Sequence, residues 1–375
     1  MAPESFELGP IRPPSESFSL LIRVTRNCPW NRCKFCPIYK GQKFQLRPVD
    51  EVKQDILTAK SISERIKEIA HGRGKDIREA AAAVYNSPPN DSYRNVALWM
   101  YAGGKSVFLQ DANTLIMKTA DLVEIIRYLK ETFPELERIT SYARSHTIAR
   151  KSIEELQQLR DAGLSRIHIG MESGYDSVLE FLDKGVTAAD HVAAGKKVVA
   201  SGISLCEYVM PGAGGRKWWR EHAIETAKAL NRINPDFIRL RTLTVQPRML
   251  ISEDVRSGEF VRLTDEEVVE ELKLFVENLE CESQIVSDHI INLLPEVEGK
   301  LPGDKEKMLA VIRRFQELSP EEKENYKLGR RMAVYNRLDD LDDIMLREQV
   351  NRVMRQLGED GVTDDLLYGL MERYI

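Results

Sequence analysis

The sequence predicts an α/β protein in which parallel strands are joined by crossover helices, followed by a mostly helical C-terminal extension. Three observations carry this reading. Six short apolar runs alternate with helix-patterned segments, and regular from about residue 105 onward. Six units are too few for an eight-stranded barrel, which leaves a partial barrel or an open doubly wound sheet. The rhythm stops after residue 243, and the remainder of the chain is charged and helix-patterned.

Residues 1–16 are rich in Pro, Ser and Glu and read as a flexible arm. Phe18, Leu20, Ile22 and Val24 alternate with their neighbours as the first strand. Residues 49–83 have helical composition, and 86–91 form a loop. Ser106–Leu109 is the second strand, before a helix with Leu122, Ile125, Ile126, Leu129 and Phe133 on one face. Arg138–Tyr142 is the third. The helix after it opens with a capping box, Ser152 to Glu155, in which each residue satisfies an orphan amide near the other. Arg166–Gly170 is the fourth strand, followed by helices at 175–183 and 188–201. Ser204–Met210 and Asp236–Thr242 are the fifth and sixth, separated by a helix at 217–232. A second capping box, Thr264 to Glu267, opens a helix reaching Leu279, and Leu338, Leu341 and Met345 recur at helical spacing in the tail.

A chain of 375 residues with 42% hydrophobic residues is long enough for one large core with additions. The formal net charge of −5 argues against a dominant nucleic-acid surface, because phosphate contacts need clustered Lys and Arg. No run is apolar for the ~18 residues that a membrane span requires. The N-terminus lacks the basic-then-apolar order of a signal peptide, so the expected location is cytoplasmic.

Of five cysteines, Cys28, Cys33 and Cys36 crowd into one segment, whereas Cys206 and Cys281 stand alone. An odd count without an export signal does not suggest a disulfide framework. Thiolates this close on one loop can converge on one metal centre. Structural zinc takes four protein ligands, and the next His or Cys after the segment is His71, beyond a predicted helix. Three thiolates suit a 4Fe–4S cluster with one iron left open to a small molecule. A zinc knuckle and a redox or structural thiol set are the alternatives. The loop follows the first strand directly, where the chemistry of parallel β/α folds collects.

A three-cysteine loop after the first strand, with Phe35 just before its last cysteine, resembles the radical S-adenosylmethionine (SAM) superfamily. Spacing in that family is usually three residues and then two; here it is four and then two. The resemblance extends over residues 17–245. Val107–Asn113 stands at the second-strand position of the family's SAM-amino turn, without its glycines. Ser141-Tyr142-Ala143-Arg144 ends the third strand. Ile169-Gly170-Met171-Glu172-Ser173-Gly174 ends the fourth, and is similar to the branch containing oxygen-independent coproporphyrinogen oxidase and the Elongator catalytic subunit. Val209–Gly215 ends the fifth, where the family sets backbone against adenine. Ser287–Asn292 resembles a segment of uncharacterised members of that branch. The true oxidase carries a further cysteine two positions after the third, where this chain has Ile38.

The resemblance implies a partial (β/α)6 barrel of the radical SAM type at 17–245 with its cluster loop, a barrel-closing region at 246–318, and a charged helical tail at 319–375. It implies a 4Fe–4S cluster on Cys28, Cys33 and Cys36 that cleaves SAM, and an electron donor such as a flavodoxin or ferredoxin. Expected cofactor contacts are Phe35, Gln110, Asp111, Ser141, Arg144, Glu172, Ser173, Gly212 and Gly214. Arg144 is the candidate for the SAM carboxylate, since a guanidinium fork matches a carboxylate. Glu172 is the candidate for the ribose hydroxyls or the ammonium. Asp288 and His289 are the candidate catalytic pair, expected near the barrel mouth. Arg239 and Arg241 share a strand face and read either as anion binders or as buried ion pairs. Trp218 and Trp219 read as helix packing. A tRNA-modifying role follows by analogy, but the acidic run Asp339–Asp343 makes the tail a poor RNA clamp. The competing function is an iron–sulfur electron carrier or redox sensor that does not cleave SAM.

Overall fold

A computed structural model describes residues 4–72, 74, 76–357 and 361–372. The first three residues of the arm, and 358–360 and 373–375 of the tail, lie outside the described residues. The chain divides into two compact units, Met1–Asn31 with Ile38–Ile169 and Ala194–Leu205, and Arg32–Pro37 with Gly170–Ala193 and Cys206–Ile375. Residues 206–375 fall in a single unit.

In the first unit β1 (Leu20–Arg23) leads into a short ribbon, β2 (Thr25–Arg26) against β3 (Gln45–Leu46). β4 (Ser106–Gln110), β5 (Arg138–Ala143) and β6 (Leu164–Glu172) follow. β1 pairs in parallel with β4, β4 with β5 and β5 with β6, in a register that sets Ile22 beside Leu109, Leu109 beside Ser141 and Ser141 beside Ile167. The long crossover from β1 to β4 holds the helices Val49–Gly72 and Ile77–Asn86 and a third, Asp91–Tyr101, which the sequence reading missed. Asn90 caps that third helix by accepting from Tyr93 N–H. Its Asn95 side chain accepts from Leu21 N–H at 3.0 Å and donates to Ser19 O at 3.1 Å. The amide thus occupies backbone groups of β1 that would otherwise remain unpaired.

The arm is not loose. Phe6 is buried, with its backbone bonded to the Ser92 hydroxyl. Glu7 pairs with Arg23 and Arg26, and buried Glu16 accepts from Ser19 Oγ at 2.6 Å and pairs with Arg138 at 3.0 Å. Polar composition signalled disorder, but these charges are neutralised by partners far away in the sequence.

In the second unit β7 (Ser204–Val209) pairs in parallel with β8 (Phe237–Leu240), and β8 with β9 (Gln284–Val286); β10 (Gly299–Lys300) runs antiparallel to β9. β9 and β10 are too short to show a period in the sequence. Asn292, just beyond β9, accepts from Thr242 N–H at 3.0 Å and donates to Leu240 O at 2.9 Å, which ties Ser287–Asn292 to the C-terminal end of β8.

The tail was expected to lie outermost, but the helix Pro320–Arg331 is largely buried. Tyr326 and Arg330 donate to Leu293 O, Arg330 also to Asn292 O, and Arg331 to Ile291 O. Arg331 pairs with Asp265. A Cβ on Gly329 would lie 2.2 Å from the Tyr335 ring, so only glycine permits that approach. The α/β class, the parallel strands and a helical C-terminal part are all present. Among the described residues no helix is long and apolar enough to cross a membrane.

Candidate cluster and cofactor site

The cysteine loop leaves β2 at Asn27. Asn27 and Asn31, on either side of Cys28, hold positive φ of 67° and 52°, a region that Asn tolerates better than most residues. Asn31 N–H points at Cys28 Sγ, 3.4 Å away, and Cys36 N–H closes a turn onto Cys33 O at 3.2 Å. The stretch from Cys33 to Cys36 is anchored through Lys34, whose N–H bonds Leu182 O at 3.0 Å and whose carbonyl accepts from Ile251 N–H at 3.1 Å. The Lys34 ammonium pairs with Asp254 at 3.1 Å and lies over the Phe181 ring.

Cys28, Cys33 and Cys36 are in no disulfide. Donor chemistry of this kind fits an iron–sulfur cluster: three thiols on one short loop, one of them already receiving an N–H. Among the described residues no three Cys, His, Asp or Glu side chains gather closely enough for a single metal ion. A cubane places each thiolate on a different iron, so its ligands stand further apart than those around one ion.

Two aromatic residues of the loop each meet a cation. The Arg144 guanidinium, at the end of β5, lies 5.1 Å from the Trp30 ring, and Arg144 N–H is fixed by Asn113 Oδ1 at 3.0 Å. Lys184 Nζ lies 5.5 Å from the Phe35 ring. Lys184 also pairs with Glu172 at 2.9 Å. Glu172, the last residue of β6, holds a φ of 66°, and its carbonyl accepts from Met210 N–H at 3.0 Å. A Cβ on Gly170 would lie 2.3 Å from Glu172 Oε1, so the glycine makes room for the pair. Behind it Glu207 of β7 is fully buried, and among the described residues neither oxygen has a hydrogen-bond partner. Burial pushes its carboxyl well above the usual range, Lys184 opposes this and Glu172 adds to it.

The other expected contacts have the following partners. The Gln110 side chain bonds the arm's backbone: it accepts from Gly9 N–H at 2.8 Å and donates to Gly9 O and Ile11 O. Asp111 is buried against Arg23, Asn27 and Tyr39. Ser141 is buried and its hydroxyl is 3.3 Å from Leu109 O. Ser173 Oγ contacts His222 Nδ1 at 2.8 Å, while His222 Nε2 faces Met210 O at 3.1 Å. An Nε2–H tautomer satisfies both, with Ser173 donating. Gly212, with φ 86°, donates its N–H to Glu271 Oε1 at 2.8 Å. A Cβ on Gly214 would lie 2.9 Å from the Trp218 carbonyl. Asp288 gives both oxygens to Arg239, at 2.6 and 2.8 Å, which resolves Arg239 as an ion-pair residue. His289 Nδ1 accepts from Ile291 N–H at 3.3 Å; burial first, then Arg241, lowers its pKa to about 4 and keeps the ring neutral.

Lys184, Glu207, His222 and Glu271 escaped the sequence reading. Glu207 left a signal, as a charge inside an apolar strand. Lys184 left a weak one, in the Leu182-Asp183-Lys184-Gly185 turn. The other two lie on ordinary amphipathic helices and left none.

Residues 82–227, less than half of the chain, match the Radical SAM superfamily. The cofactors of that class are a 4Fe–4S cluster and SAM. The matched residues begin after the cysteine loop, so the ligand assignment rests on the loop itself. The chain is 27% identical over 113 residues to an uncharacterised protein of Methanocaldococcus jannaschii, covering 30% of this chain and 34% of that one. It is 25% identical over 118 residues to a tRNA uridine(34) acetyltransferase of the same organism, covering 31% and 22%. The chain thus spans about a third and about a fifth of the lengths of these relatives. Among solved structures, methylornithine synthase is similar over 80% of this chain and 81% of its own, at 15% identity and a TM-score of 0.41.

Proposed function

We propose that this protein is an enzyme that reductively cleaves SAM at a 4Fe–4S cluster on Cys28, Cys33 and Cys36, acting in the cytoplasm on a substrate yet to be identified. A small donor such as a flavodoxin or ferredoxin supplies the electron. The observation that carries this reading is the three-cysteine loop whose two aromatic residues each meet a cation, Arg144 over Trp30 and Lys184 over Phe35. Held by these three cysteines, the cluster would supply the electron for reductive cleavage of a carbon–sulfur bond of SAM.

The protein's own residues bind and orient. Arg144, its backbone fixed by Asn113, presents a two-pronged donor to the SAM carboxylate. Glu172 takes the ribose hydroxyls or the ammonium, and Lys184 pairs with it at 2.9 Å. Phe35 offers a flat apolar surface to the adenosyl group, and the backbone at Gly212 and Gly214 approaches adenine. His289, neutral above about pH 4, is able to accept a proton from a substrate, and Arg239 holds Asp288 beside it.

The test uses anaerobically reconstituted protein with a strong reductant and SAM. It should bind about four irons per chain and absorb broadly near ~400 nm, and release 5′-deoxyadenosine. Ala at Cys28, Cys33 or Cys36 should abolish iron uptake, whereas Cys206→Ala and Cys281→Ala should not. Glu172→Gln and Arg144→Ala should weaken SAM binding with iron content intact. A reduced cluster whose spectrum ignores SAM would make the protein an electron carrier instead, and tight zinc without iron would end the cluster assignment.

A further inference from the structure

At the end of β4 a single side chain reaches both ends of the cysteine loop. Asp111 Oδ2 accepts from Arg23 Nε at 3.0 Å, Arg23 Nη2 at 2.7 Å and Asn27 N–H at 3.4 Å. Its Oδ1 accepts from the Tyr39 hydroxyl. Asn27 immediately precedes Cys28, and Tyr39 lies three residues after Cys36, so all three cysteines fall between the two attachment points. Tyr39 is buried and its carbonyl accepts from Asn31 Nδ2, while Lys40 Nζ donates to Asn31 O at 2.9 Å. Asp111 is fully buried. The arm covers it closely, since a Cβ on Gly9 would lie 2.9 Å from Asp111 Oδ1. Both carboxylate oxygens are occupied by protein donors.

We propose that Asp111 is a positioning residue for the cluster, a clasp that holds Asn27 and Tyr39 at a set separation and so fixes the span within which the three thiolates must meet their irons. The inference rests on the cluster reading above. A cubane imposes a set separation on its thiolates, and a loop with free ends pays conformational entropy to reach it each time an iron–sulfur bond reforms. The clasp removes that cost beforehand. It acts through Tyr39 and Asn27 and does not touch iron or SAM. Replacing the carboxylate with an amide keeps the shape but turns one acceptor into a donor facing the Tyr39 hydroxyl or the Arg23 guanidinium.

The test measures iron release to a chelator from reconstituted protein, beside the thermal midpoint of the iron-free protein. Asp111→Asn should release iron at least about tenfold faster than wild type, the scale on which residues outside the ligand set act. Tyr39→Phe, which removes one hydroxyl and little volume, should accelerate release several-fold with an almost unchanged midpoint. Glu16→Gln, a buried acid of the same unit that does not touch the loop, should lower the midpoint without hastening release. Wild-type retention in both Asp111→Asn and Tyr39→Phe overturns the clasp. So does iron loss in Glu16→Gln as fast as in Asp111→Asn at an equal midpoint. A wild-type protein that takes up no iron removes the cluster reading and the clasp together. Loss of iron in the Cys28, Cys33 and Cys36 variants, with normal retention in the Asp111 variant, removes only the clasp.

Discussion

Glu271 is wholly enclosed on the helix Asp265–Glu277, bonded to Gly212 N–H, with its second oxygen unpartnered and His222 Nε2 3.6 Å from the first. Burial raises its carboxyl to about 8, the Gly212 amide opposing, and lowers His222 to about 4. A carboxyl raised on folding carries a proton that the unfolded chain has already released. Its contribution to stability is therefore complete below about 4.5 and is lost as pH rises through about 8. His222 and His289, both lowered from 6.5, act in the opposite sense but only below 6.5. Between pH 6.5 and 8 the raised carboxyls decide the slope: Glu271, and Glu207 with the same sign. The thermal midpoint of wild type should fall across that window, and Glu271→Gln should flatten the fall. A slope unchanged in Glu271→Gln would assign the buried proton elsewhere. At this scale the sequence showed the cysteines, because their chemistry is particular to the residue type and their spacing is local. It did not show Glu271, which looks like any other acid on an amphipathic helix until the fold encloses it.

Among the elements, the helix Pro320–Arg331 departs furthest from its sequence pattern. Its composition suits a solvated tail, yet Arg330 and Arg331 point inward and occupy the carbonyls of Ile291, Asn292 and Leu293. Those are the residues that carry the Asp288–His289 segment into its tie with β8. Ending the chain before Pro320 should therefore destabilise the second unit, and a soluble truncated protein with native urea stability would contradict this. Arg331→Ala removes a buried guanidinium from its pair with half-buried Asp265, which should cost about 3–5 kcal/mol in urea unfolding. The helix Asp91–Tyr101 shows a related limit. Its Asn90 cap was legible as a loop residue, but its role depends on Asn95 meeting the edge of β1, which lies 74 residues earlier.

For the molecule as a whole, a net charge of −5 bears on partners. One curated relative is a tRNA uridine(34) acetyltransferase, matched over 22% of its length. Phosphate binding needs clustered unpaired cations, whereas Arg23, Arg26, Arg47 and Arg331 are all committed to carboxylates. Unfractionated tRNA titrated at physiological salt should leave the anisotropy of labelled protein unchanged. Saturable binding that weakens steeply with salt would contradict this and reveal a local basic patch.

The sequence by itself determined the order of the six parallel strands and most of the helices between them, and the place of the thiol loop. Each of these depends on residues within one or two turns of chain: a period of 2.0 or 3.6, a capping box, three cysteines on one loop. Only the tertiary structure decided where the polar side chains spend themselves. Gln110 went to the arm, Asp111 to the cysteine loop, Asp288 to Arg239, and the arginines of the tail to backbone carbonyls. A buried donor or acceptor must find a partner, and which partner it finds is set by contacts between residues far apart in the chain, where local pattern carries no information.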